Sequence, residues 1–150
     1  MSRRKAREIV LCLVFEKDYH RDFGCDKLYE DLFENFYPLL EETENKEKKK
    51  SKLLNKTDEN YIKNTFLKVF ENIEYIDEII SGSTIGWEYN RISKISMALL
   101  RIAVYEILYA DDIPASVAIN EAVELSKRYD DSEAYTFING VLGAVVKNNK

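Results

Sequence analysis

Residues 91–110, RISKISMALLRIAVYEILYA, decide the fold. Ile92, Ile95, Met97, Leu99, Leu100, Ile102, Val104, Ile107 and Leu108 place apolar side chains on nearly every side of a helix. A helix that is apolar all round must be covered by neighbours, so this stretch predicts a central, buried helix. Asp111-Asp112-Ile113-Pro114 ends it, and Pro114 suits the start of another helix. Residues 115–129 put Ala118, Ala122, Leu125 and Tyr129 on one face, with Asn120, Glu124 and Lys127 opposite. Asp130-Asp131-Ser132 offers turn and capping groups. A last helix over about 132–147 buries Ala134, Ile138, Val141, Leu142 and Val145.

Upstream of the central helix lies a loop, Ser83 to Asn90, holding Gly86 and the only tryptophan, Trp87. Before it, Thr57 reads as an N-cap with Asp58 and Glu59 in the first turn, where the helix dipole favours anions. Tyr61, Ile62, Phe66, Leu67, Val69 and Phe70 form its apolar face. A break near Asn72 separates it from a short helix with Ile73, Ile76, Ile79 and Ile80, ending at Gly82. At the other end, Ala6, Ile9, Val10, Leu13 and Val14 make one stripe of a helix over 3–21, with Gly24 as its stop. Leu28 to Leu40 is periodic too, interrupted by Pro38. Residues 41–56 carry six lysines and almost no apolar side chain, and read as a solvated linker. No alternating strand pattern and no repeat occurs. The prediction is one all-α domain, 1–150, of six or seven helices.

Composition agrees. The chain has 45% hydrophobic and 33% charged residues, with five Gly and two Pro. A chain of this length buries roughly 68–70% of its unfolded surface, so it needs no disulfide or metal to hold a core. Collagen, a disulfide scaffold and wholesale disorder are excluded. Nothing approaches 18 uncharged apolar residues, so no membrane span is expected. The basic start lacks a small-residue cleavage site, and Cys12 and Cys25 lack metal-type spacing, which together suit a cytoplasmic protein.

Net charge is −5, which argues against general nucleic-acid binding. Yet residues 1–17 hold Arg3, Arg4, Lys5, Arg7 and Lys17 against only Glu8 and Glu16. A basic end on an acidic body gives a local field for phosphate. Catalysis is poorly supported. The only histidine, His20, is eight residues from Cys12, roughly 12 Å along a helix. The glycines make no phosphate loop, and the carboxylates at 71–78 follow a solvated helical face. We expect no enzyme activity, no cofactor and no metal.

A binding site is better supported. Arg3, Arg4 and Arg7 fall within roughly 100° of arc beside the first helix's apolar stripe, with Leu11 and Phe15 continuing that side. Guanidinium forks suit phosphate, and an aromatic ring suits a base. On the last helix, Phe137 lies off the apolar arc and reads as an edge aromatic, with Glu133 one turn before it. Arg101, inside the central helix, needs a carboxylate; Glu121 is the first choice and Glu106 the second.

Several stretches resemble the NusB family of transcription antitermination factors. These are Arg3-Arg4-Lys5-Ala6-Arg7-Glu8, then Leu100 to Leu108, then Val117 to Lys127 after Ile113-Pro114, and finally Phe137-Ile138-Asn139-Gly140-Val141-Leu142. The resemblance implies two packed helical bundles without enzyme activity. It implies binding of boxA RNA in ribosomal RNA transcripts, as a heterodimer with NusE, the small-subunit ribosomal protein, on the RNA polymerase elongation complex. It assigns RNA contacts to Arg3, Arg4, Arg7, Glu133 and Phe137, so that the two chain ends form one RNA surface. It assigns partner contacts to the neighbourhoods of Phe15 and Ser96. Phe15 stands where the family commonly has tyrosine, and Ser96-Met97 where it often has an acidic then a basic residue. Two competing readings are a helical RNA-binding module assisting an RNA methyltransferase and a structural helical interaction protein.

Overall fold

The computed structural model describes residues 2–19, 24, 27, 29–31, 56–84, 86 and 92–149. Six helices have defined bounds: α1 (Arg3–Tyr19), α2 (Lys56–Glu71), α3 (Ile73–Gly82), α4 (Lys94–Tyr109), α5 (Ala115–Tyr129) and α6 (Ala134–Asn148). Lys27 and residues 29–31 are also helical. No strand occurs among the described residues, as expected of an all-α chain. The lysine-rich linker lies outside them, apart from Lys56, and so do Leu28, Pro38 and Trp87.

The chain forms two compact units, residues 1–67 and 68–150. The boundary falls inside α2, after Leu67. In the first unit the stripe of α1 is buried as its spacing dictates: Ala6, Val10 and Val14 are fully enclosed, with Ile9 and Leu13. Ile62 and Phe66 of α2 are fully buried too.

In the second unit α4 is the hub, packing against α3, α5 and α6, while α6 also reaches α3 and α5. This is the position that its all-round apolar pattern predicted. Leu99, Leu100, Ala103 and Val104 are enclosed, with Ile76 and Ile80 of α3, Leu125 of α5, and Ile138, Val141, Leu142 and Val145 of α6. Truncating one such leucine to alanine costs about 2–5 kcal/mol.

Helix ends follow local chemistry. Asn72 breaks α2 from α3 and donates its side-chain amide to the Lys68 carbonyl at 2.9 Å. Ser93 caps α4, its hydroxyl accepting from the Ser96 amide at 3.0 Å, so α4 starts three residues later than its apolar pattern. Pro114 precedes α5, where its fixed φ is no hindrance. α2 begins at Lys56, so Thr57 lies inside the helix and is not its cap. Gly86 has φ +87°, a conformation that favours glycine in the loop after α3.

Candidate nucleic-acid and partner interface

Ser2 opens α1 by accepting a hydrogen bond from the Lys5 amide at 3.1 Å, which satisfies one free N–H of the first turn. That turn carries no acid. Its Arg3, Arg4 and Lys5 oppose the positive end of the helix dipole, so an anion placed there relieves repulsion. Lys5 pairs with the buried Glu8 at 3.1 Å.

The three arginines do not share one environment. Arg3 and Arg4 are exposed, whereas Arg7 is only 4% exposed. The sequence grouped all three on one arc beside the apolar stripe, and Arg7 falls on the buried side of it. The four-residue step that aligns Arg7 with Arg3 also turns both towards α2, where Tyr61 receives them. The Arg3 guanidinium carbon lies 4.0 Å from the Tyr61 ring centroid, and that of Arg7 lies 5.7 Å away. The Arg3 contact is close enough for the guanidinium face to lie on the ring, which leaves its N–H edge for other acceptors. Tyr61 read in the sequence as one member of an apolar face; nothing in α2's own pattern couples it to arginines 54 or more residues earlier.

Further along α1, half-buried Phe15 meets Tyr19 with ring centroids 5.1 Å apart and planes tilted by 57°. Tyr19 is 60% exposed, so the pair puts an aromatic patch on this helix. The Cys12 thiol is pushed up to about 11 by burial, then by the charges of Glu8 and Glu16. It therefore stays protonated near neutral pH, which suits a packing role and not a nucleophile. His20 and Cys25 lie outside the described residues. Among the described residues no group of three or more His, Cys, Asp or Glu could hold a metal ion, and no helix is long and apolar enough to cross a membrane.

In the second unit, Arg101 forks onto Asp77 of α3. Nε donates to Oδ1 at 2.9 Å and Nη2 to Oδ2 at 3.0 Å. Asp77 was not among the partners expected from sequence. It follows the buried Ile76 on α3, and α3 packs on α4, a neighbour relation that spacing alone does not reveal.

Ser96, expected near a partner-facing surface, is buried, and its hydroxyl donates to Asp130 Oδ2 at 2.6 Å. The Ser93 hydroxyl donates to the same oxygen at 2.6 Å, and the Asp131 amide donates to Oδ1 at 2.8 Å. Burial raises the Asp130 carboxyl, but these bonds outweigh it and hold the group below its usual range. Ser96 thus fastens the start of α4 to the end of α5, and its hydroxyl faces inward.

Glu133 is exposed at the start of α6 and makes no side-chain capping bond. Phe137, read as an edge aromatic, is 9% exposed and belongs to the core. Its wheel position misled because α6 packs on three helices, α3, α4 and α5, so its buried arc is wider than its apolar stripe. Accessible rings near the start of α6 are Tyr129, 45% exposed, and Tyr135, 39% exposed, the latter with the Lys127 ammonium 5.0 Å from its centroid.

Comparison with known proteins places these features in context. The sequence model of the NusB family matches residues 4–147. The chain is 42% identical over 147 residues to the transcription antitermination protein NusB of Acetivibrio thermocellus, covering 98% of this chain and 90% of that protein. The fold is similar to that of T. maritima NusB, with a TM-score of 0.78 and 30% identity over 98% of this chain and 92% of the other. It is also similar to a crystal structure of antitermination factors NusB and NusE in complex with dsRNA, with a TM-score of 0.76 and 25% identity over 99% of each chain.

Proposed function

The chain belongs to the NusB family, and from that premise we propose that it is a non-enzymatic transcription antitermination factor. It binds boxA-type single-stranded RNA of ribosomal RNA transcripts together with NusE, and serves the RNA polymerase elongation complex. The observation that carries the reading is the opening of α1. Two exposed arginines, Arg3 and Arg4, stand in a turn with no acid, on a chain whose net charge is −5. Such a focused positive field attracts a phosphate backbone without making the whole molecule sticky for polyanions.

In this reading Arg3 and Arg4 make the phosphate contacts, and Arg7 supports them from within. Glu133 accepts from base amino groups, which gives sequence preference more than affinity. Phe137, although largely buried, stands at the family's stacking position on α6. Phe15 with Tyr19 supplies the NusE-facing aromatic patch, and Ser96 shapes the neighbouring surface by fixing the start of α4.

The test is a salt titration with a short, labelled single-stranded RNA. Arg4→Ala should weaken all sequences similarly and reduce the salt slope by about 0.7, the value for one phosphate on a single strand. Unchanged affinity and slope in an Arg3→Ala/Arg4→Ala protein would remove the RNA role of α1.

A further inference from the structure

Resting on the RNA reading above, we propose that Tyr61 is a positioning residue for phosphate binding, holding the Arg3 guanidinium by its face so that its N–H edge is presented to the RNA backbone. Arg3 is the first residue of α1, where a long side chain has the greatest freedom and the helix has the fewest internal bonds. An unrestrained arginine there loses rotamer freedom on binding, which weakens each phosphate contact.

Tyr61 removes that freedom beforehand. At 4.0 Å from the ring centroid the guanidinium lies against the π face. A planar fork stacked in this way keeps its donors in the plane, directed away from the ring. Among the described residues no carboxylate pairs with Arg3, so its charge stays available for a phosphate. The ring itself is well anchored. Its neighbour Ile62 is fully buried, as is Phe66 one turn on, so α2 cannot rotate without opening the core. Arg7, buried and 5.7 Å from the same ring, packs beside it from one turn further along α1. The arrangement is a side chain on a rigid helix supporting a contact residue on another.

The measurement is a double-mutant cycle on the full chain, read by titration of a labelled short single-stranded RNA at several salt concentrations. Tyr61→Leu should weaken binding about two- to fivefold, the worth of an exposed cation–π contact. It should also lower the salt slope towards that of Arg3→Ala. Tyr61→Phe keeps the ring and should bind as the parent does. In an Arg3→Ala background, Tyr61→Leu should cause no further loss. In the RNA-free protein, the Arg3 side-chain protons should move upfield in the ring current and return in Tyr61→Leu. A Tyr61→Leu protein that matches the parent in affinity and slope overturns the proposal. So does an equal loss with and without Arg3, which marks a purely structural role, and so does a Tyr61→Phe protein as weak as Tyr61→Leu. A parent that binds no RNA overturns the functional reading as well, whereas Arg3 dependence without Tyr61 dependence overturns this inference alone.

Discussion

Removing the carboxylate of Asp77 should destabilise the protein, because it breaks a largely buried fork with Arg101. The Arg101 side chain is 6% exposed and that of Asp77 is 27% exposed. Two charge-assisted hydrogen bonds, at 2.9 and 3.0 Å, join α3 to α4. Breaking a fully buried pair by deleting one partner costs about 3–5 kcal/mol, because the other charge stays desolvated. Partial exposure of Asp77 lets water reach the fork, so Asp77→Ala should fall at the low end, about 3 kcal/mol. With a urea m-value of about 2 kcal/mol per molar, the unfolding midpoint should drop by about 1.5 M. The assay is equilibrium urea unfolding followed by far-ultraviolet circular dichroism. An Asp77→Ala protein within about 0.5 kcal/mol of the parent, the usual range for surface changes, would show that the fork contributes little and that Arg101 is solvated or satisfied elsewhere.

Phe137→Ala should lower stability by about 3 kcal/mol, as expected for a phenylalanine truncated in a core, and thermal unfolding should shift down by about 6–12 °C; an unchanged midpoint would return Phe137 to the surface. Asp130 has a folded pKa below its unfolded value of about 3.9, so its contribution is present above that pH and is lost as pH falls through the folded value. The stability gap between the parent and Asp130→Asn should therefore be constant near neutral pH and narrow as the pH falls below the ordinary carboxylate range, which urea unfolding across pH will read. In a Cys25→Ser background, the Cys12 thiol, pushed up to about 11, should react with a disulfide reagent at neutral pH only slowly, and rapidly once the chain is unfolded in urea.

The fold was legible wherever a helix carries its own amphipathic record. The α4 pattern marked a hub, and the stripes of α1, α5 and α6 named most of the core, because 3.6-residue spacing is a property of one helix alone. What could not be read is what one helix does to another. Arg101's partner Asp77, the Tyr61 platform under Arg3 and Arg7, and the double claim of Ser93 and Ser96 on Asp130 join residues 24 to 58 positions apart. Phe137 failed as an edge aromatic, and the burial of Arg7 stayed hidden, for the same reason, since a helical wheel has no knowledge of a second covering helix. The composition and the basic start of the chain pointed to a local anion site; the stretches that resemble the NusB family pointed to the RNA and the partner proposed for it.

The most direct test of the central claim is the affinity of the purified chain for a labelled boxA RNA, measured with and without NusE and against a scrambled RNA of the same length. Binding should be salt-dependent, favour boxA over the scrambled strand and become tighter when NusE is added, because two proteins then contribute contacts to one strand. Equal, weak binding of both RNAs, unaffected by NusE, would contradict that claim.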